Sequence, residues 1–308
     1  MSERWGVLLM AYGSPEKIDD VAAYFTHIRG GRPPSPEAVE DLKERYRRIG
    51  GRSPLFEITY RQARALEDHL NDSEERWRVY VGMRHAPPFI RETIAQMKND
   101  GVQRAVGLAL APHYSRMSVG AYIEAAQQAL REIQSSIQIG FVESWHLHSL
   151  FLKALSERVR LGLERFSPQE RRQLIVVFTA HSLPERILSW NDPYPRQLLE
   201  TSQAVAERVG LTQWRFAYQS AGHTPEPWLG PDLLDILKEL GDEGDKTLLV
   251  CPVGFVADHL EVLYDIDLEA RRRAEELGIH LERTESLNDD PQFVAALTAI
   301  VREHSHIL

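Results

Sequence analysis

At 308 residues, with 43% hydrophobic and 26% charged side chains, the chain has the composition of a globular protein and room for two domains with their own cores. Its net charge of −9 excludes a general nucleic-acid binder, and an anionic ligand would need a local basic cluster. The one cysteine, Cys251, excludes an intramolecular disulfide and a cysteine-ligated iron–sulfur cluster or zinc site; no apolar run approaches the about 18 residues of a membrane span.

The first five residues lead directly into a strand pattern, without the basic and apolar regions of a secretory signal, so a cytoplasmic location is expected. Taken in order, short apolar runs at 7–11, 78–83, 105–111 and 137–142 predict four strands. Helical patterns lie among them at 19–27, 36–49, 59–71 and 119–135. A second set of strands is predicted at 174–179, 215–219, 247–253 and 279–283. Strand–helix alternation of this kind implies parallel sheets with helices on both faces. The two sets also read as copies: VLLMAYGSPEKI resembles VVFTAHSLPERI, LALAPHYS resembles LLVCPVGF, and GFVESWHLHSLFLKAL resembles LERTESLNDDPQFVAAL. The matches keep their order, which predicts an internal duplication of a four-stranded unit. The fold class is therefore α/β, with two similar Rossmann-like domains at 1–168 and 169–308, divided at the polar joint FSPQE. Terminal helices can cross such a division. In open α/β sheets ligands bind at the carboxyl ends of the strands.

Several familiar site motifs are missing: there is no G-x-G-x-x-G after a strand, no Walker loop, no G-x-S-x-G elbow and no H-E-x-x-H. The strand ends instead offer polar and aromatic residues. These are Tyr12; Arg84 and His85; His113 to Ser118, with Tyr122 following; His181 in FTAHSLP; and Gln219 to His223. A neutral imidazole at the position of His181 can bind a borderline metal or take a proton near pH 7; equally, it can cap a helix or satisfy a loop carbonyl. After the run TLLVCPV comes GFVADHLEVLYDIDLE. At about 100° per residue Asp258, Glu261, Asp265 and Glu269 would share an arc of roughly 80° on an α-helix, with Glu261 and Glu269 about 12 Å apart along it. Like charges at that spacing destabilise a helix, and the remaining positions are crowded with apolar residues. A column of carboxylates beside a sheet edge suits passage of cations or protons.

Together LLMAYGSP, THIRGGRPPSPE, RYRRIGGRSPL, FTAHSLPERI, NDPYP, HTPEPWLGPD and CPVGFVADHLEVLYDIDLE resemble the ferrochelatases nearly from end to end. The pattern is nearest to the short, monomeric type of Gram-positive bacteria that inserts iron into coproporphyrin III. The resemblance implies a lyase-class metal chelatase of haem biosynthesis. Its substrates would be Fe²⁺ and coproporphyrin III, its products coprohaem and two protons, and no tightly bound cofactor or iron–sulfur cluster would be needed. It implies that His181 and Glu261 face the porphyrin centre as catalytic and iron-binding residues. Asp265 and Glu269 would continue an acidic path outward, and Tyr12 would lie on the opposite face of the ring. Ile28, Arg29, Arg32, Ser53, Arg84, His85, Tyr122 and Trp228 are the implied substrate contacts. Guanidinium groups suit the propionates because their donors form a planar fork.

Two positions depart from the family pattern: Gly30 stands where relatives carry a second arginine, and Arg84 where they carry lysine. Arg32 or Arg52 would then take up the carboxylate load. Trp228 is either a ring-stacking aromatic or a core anchor. Arg45 with Asp265 and Glu269 reads as an outer divalent-ion site or as a plain salt bridge. Contact with the enzymes before or after it in haem synthesis is a further implication. Protoporphyrin IX as substrate, a cobalt or nickel chelatase, and a non-catalytic tetrapyrrole carrier are the competing readings.

Overall fold

The computed structural model describes residues 5–72, 77–222, 224–244 and 246–306. In chain order the elements are β1 (Trp5–Ala11), α1 (Val21–Ile28), α2 (Pro36–Arg48), α3 (Leu55–Leu70), β2 (Trp77–Met83), α4 (Ile90–Asn99), β3 (Arg104–Ala109), α5 (Val119–Glu132) and β4 (Gln138–Val142). There follow α6 (Ser149–Leu163), β5 (Ile175–His181), α7 (Tyr194–Val209), β6 (Trp214–Gln219), α8 (Leu233–Glu243) and β7 (Thr247–Cys251). A π-helix (Val262–Ala270) runs on into α9 (Arg271–Glu276), before β8 (His280–Arg283) and α10 (Pro291–Ser305).

Two four-stranded parallel sheets result, with orders β2-β1-β3-β4 and β6-β5-β7-β8. The second is the first with every strand number raised by four, which is the duplication read from the sequence. Every predicted strand falls on an observed one. β7 stops at Cys251 rather than at 253 because Pro252 has no N–H for the ladder. β5 instead runs on to His181, whose register partner is Gln219.

The chain forms two compact units. The first takes the residues up to Trp145, Ala257–Leu260 and from Asn288 on; the second takes His146–Val256 and Glu261–Leu287. The sheets follow the division at 168/169, but the two terminal helices do not. α6 packs on α7 and β7 in the second unit, where a Cβ at Gly162 would lie 2.9 Å from a Leu249 methyl. α10 packs on α3 and β3 in the first, its Phe293 ring 6.0 Å from that of Trp145. An apolar helix face belongs to the sheet that buries it, whatever the order of the chain.

In the first unit Leu8, Met10, Ile94, Met97, Ala105 and Ala126 lie in one buried cluster. In the second, Val177, Leu237, Leu248 and Val250 pack with Val262, Ile266 and Ala270 of the π-helix. Each fully buried Val or Ile stabilises by about 1.5–3 kcal/mol, so that apolar column fixes the helix to its sheet. Among the described residues no helix is long and apolar enough to cross a membrane.

Two corrections to the sequence reading concern the acidic stretch. The backbone is not an α-helix there: the Arg271 N–H reaches back five residues to the Ile266 carbonyl. In this wider coil, at about 82° per residue, Glu261, Asp265 and Glu269 still share an arc of about 65°, but their span along the axis is shorter than α geometry predicts. Asp258 leaves the column altogether. It precedes the helix, takes a hydrogen bond on its carboxylate from Asn288 Nδ2 at 2.9 Å, and donates its own N–H to Asn288 Oδ1 at 2.8 Å.

Candidate active site

His181 is the last residue of β5, at the carboxyl end of a buried strand. Its Nδ1 makes a short hydrogen bond to the Ser182 carbonyl. A carbonyl only accepts, so Nδ1 carries a proton, and Nε2 is the nitrogen turned to Glu261. Nε2 lies 3.5 Å from Glu261 Oε1, and each of the two side chains keeps about a third of its surface open (32% and 35%). Burial on its own would lower the imidazole pKa. The Glu261 carboxylate, the Ser182 carbonyl and Asp265 outweigh it and raise His181 to about 9.

The neighbouring groups hold this pair in place. Tyr194 Oη donates to the His181 carbonyl at 3.0 Å. Gln219, beside His181 on β6, accepts from Thr179 Oγ1 at 2.8 Å and donates through Nε2 to the Glu261 carbonyl at 3.5 Å. The Ser182 hydroxyl donates to the Leu229 carbonyl at 2.7 Å. The approach of the Glu261 segment depends on Gly254, whose N–H donates to the Thr179 carbonyl at 3.1 Å. A Cβ there would lie 2.5 Å from Ala180 Cβ and 2.8 Å from its Cα, so only glycine lets the β7 loop press against β5. Further along the helix Asp265 is buried and accepts a short hydrogen bond from the Ser220 hydroxyl, and Glu269 is half-buried. Among the described residues no three His, Cys, Asp or Glu side chains cluster in a metal-holding arrangement. His181 with Glu261 is thus a two-donor pair, a set from which a metal can be released.

In the same unit Trp228 is half-buried and lies against Gly222, where a Cβ would come within 2.3 Å of its ring. Its indole N–H donates to Thr224 Oγ1 at 2.9 Å. His223 lies outside the described residues.

The other predicted contacts belong to the first unit. Tyr12 follows β1, is 40% exposed, and its ring centroid sits 4.6 Å from that of His85. His85 is buried, and burial, then the charge of Arg84, then His27, push it down to about 3, so it is neutral at pH 7. Arg84 donates to the Met117 carbonyl at 3.2 Å, its guanidinium 5.9 Å from the centroid of the buried Tyr122 ring. Ile28 ends α1, and Arg29 and Arg32 follow it in an exposed loop, Arg29 lying 5.9 Å from the Phe25 ring. Ser53 is buried and accepts from the Leu55 N–H at 3.2 Å; Arg52 pairs with Glu57 at 2.8 Å. Arg45 is half-buried on α2, in the first unit, whereas Asp265 and Glu269 belong to the second.

Sequence reasoning passed over His27, whose Nδ1 lies 3.0 Å from His85 Nδ1 and whose ring stacks on Phe89 at 5.1 Å. It also passed over Gly254 and Tyr194. Of these only Gly254 carried a readable signal, as a glycine three residues past a buried strand.

The ferrochelatase family model matches residues 4–305. The chain belongs to the ferrochelatase family. It is 46% identical to the ferrochelatase of Herpetosiphon aurantiacus, over 98% of this chain and 99% of that protein. It is likewise 46% identical to the coproporphyrin III ferrochelatase of Geobacillus thermodenitrificans, over 96% and 94%. Coproporphyrin III ferrochelatase 1 of Bacillus anthracis is 43% identical over 98% and 97%. Among solved structures, sirohydrochlorin chelatase SirB from Bacillus subtilis subspecies spizizenii, in complex with cobalt, superposes with a TM-score of 0.57 at 12% identity, covering 98% of this chain and 96% of that one. SirB from Bacillus subtilis with Fe³⁺ gives 0.60 at 14% identity, over 98% and 95%. These two share the chelatase fold with this ferrochelatase-family chain; at such identity they say nothing of its substrate.

Proposed function

We propose that this chain inserts Fe²⁺ into coproporphyrin III, releasing two protons and forming coprohaem. The observation that carries the reading is the imidazole–carboxylate pair at the carboxyl end of β5, with Nδ1–H of His181 held by a carbonyl and Nε2 turned to Glu261. Near-full-length likeness to relatives named for coproporphyrin III supports the choice of porphyrin.

The chemistry asks for what the pair offers. Two pyrrole N–H protons must leave while the iron sheds water, and the same group must not retain the metal. His181 is charged at neutral pH, so Nε2 takes a pyrrole proton or briefly binds iron only after giving up its own; the Glu261 carboxylate beside it is the free base of the pair and balances the imidazolium. Two donors leave the remaining iron positions open for ring nitrogens. Holding the macrocycle bent would expose its nitrogen lone pairs, with the strain supplied by binding at its periphery. Tyr12, Ile28, Arg29, Arg32, Ser53, Arg84, His85, Tyr122 and Trp228 are assigned to that binding. Exposed Arg29 and Arg32 suit propionates as bidentate partners, while neutral His85 donates a hydrogen bond without adding charge. Asp265 and Glu269 are assigned to an outer path for cations or protons. No tightly bound cofactor is assigned, because iron is the substrate. Work within the cytoplasm, beside other haem-pathway enzymes, belongs to the same reading.

The test is anaerobic absorbance spectroscopy with Fe²⁺ and either coproporphyrin III or protoporphyrin IX. Multiple turnovers, faster with coproporphyrin III, are expected. The reverse preference contradicts the assigned substrate, and tight porphyrin binding without turnover would make the chain a carrier.

A further inference from the structure

We infer that Arg283 is a positioning residue for Glu261, acting through Asp267 to hold the helix between them in its π register. The inference rests on the role given to Glu261 above.

Asp267 lies on the π-helix, six residues after Glu261. Arg283 grips it with a two-pronged fork, Nε to Oδ1 at 2.7 Å and Nη2 to Oδ2 at 2.9 Å. The guanidinium is 12% exposed and fixed further by the Thr284 carbonyl at 2.9 Å and Ser286 Oγ at 3.3 Å. A partly buried, two-pronged fork of this kind is more tightly defined than a surface ion pair. Its place in the sheet gives it leverage. β7 pairs with β5 on one side and β8 on the other, and His181 and Arg283 are the last residues of those two flanking strands. Glu261 therefore meets the β5 edge and Asp267 the β8 edge, while Val262, Ile266 and Ala270 pack into the core of the same unit.

Helical phase decides whether all three contacts coexist. At about 82° per residue Asp267 stands about 130° from Glu261, with the buried column inside that arc. At about 100° per residue the angle becomes about 240°, so Asp267 would be turned about 110° away from its place at the β8 edge whenever Glu261 faces His181. The π register is otherwise a rare and poorly stabilised form of backbone. The fork on one flank and the His181–Glu261 contact on the other select it.

The experiment is steady-state metallation by Arg283→Ala, with coproporphyrin III binding measured separately. A cavity of about 360 Å³, lined by Arg165, Asp267, Arg271, Arg283, Thr284 and Glu285, lies against the fork and has room for a guanidinium ion. Turnover is expected to fall about tenfold or more with porphyrin affinity unchanged. Guanidinium chloride far below denaturing concentrations should restore part of it, where equal sodium chloride does not. Wild-type turnover in the variant overturns the inference, and so does a loss of turnover matched by lost porphyrin affinity and not rescued. Should Arg283→Ala fail to fold, Arg283→Lys keeps the charge without the fork: reduced turnover at unchanged porphyrin affinity is then expected, and wild-type turnover overturns the inference. The parent reading is tested separately, by metallation with the wild-type chain and by Glu261→Gln; its failure would remove the role Arg283 is said to support.

Discussion

His181 is held in a protonation state unlike that of an isolated imidazole. Its pKa is raised to about 9 although burial opposes the charge, because Glu261 foremost, with the Ser182 carbonyl and Asp265, favours the cation. In Glu261→Gln the largest favourable contribution disappears while burial persists. NMR titration of the ring should place His181 near 9 in the wild type and well below that in the variant; an unchanged titration would contradict the pairing. The same shift has a stability consequence. The folded-state value lies above the ordinary 6.5, so the pair's contribution is complete below about pH 6.5 and is lost as pH rises through about 9. Both side chains remain about a third open, so after solvent screening the effect is about 1 kcal/mol or less. His181 was legible in the sequence because an isolated histidine closes an apolar run. His27 was not, since its link to His85 joins residues 58 apart and leaves no local pattern.

At the scale of elements, the strands were readable almost to the residue, because buried parallel strands appear as unbroken apolar runs. The acidic helix was readable as a helix with its acids on one face, but its π register was not. The difference from α geometry is some 18° per residue and depends on contacts with β5 and β8 that no local spacing records. Gly254 governs how this element reaches the site. Gly254→Ala would place a methyl group 2.5 Å from Ala180 Cβ and 2.8 Å from the backbone behind it. It is expected to cost about 1–3 kcal/mol in chemical denaturation and to reduce turnover by moving the segment that carries Glu261. Wild-type stability and rate together would show that the loop accommodates the methyl group and that the close approach matters little.

For the whole molecule, the duplication was the most informative feature of the sequence. Three matched segments in the same order foretold two sheets of identical strand order. That terminal helices can cross the division was readable, but not that α6 and α10 do so, because which sheet buries a helix is a matter of tertiary packing. The two copies have diverged where chemistry differs. β1 is followed by Tyr12 beside a neutral His85, whereas β5 ends in a His181 that Glu261 keeps charged. The account therefore stands on the second copy's pair as the group that takes protons and hands over iron. The most direct measurement is anaerobic metallation of coproporphyrin III by His181→Ala, with porphyrin binding followed in parallel. Binding that survives while turnover is abolished is the predicted result; turnover at the wild-type rate would contradict it.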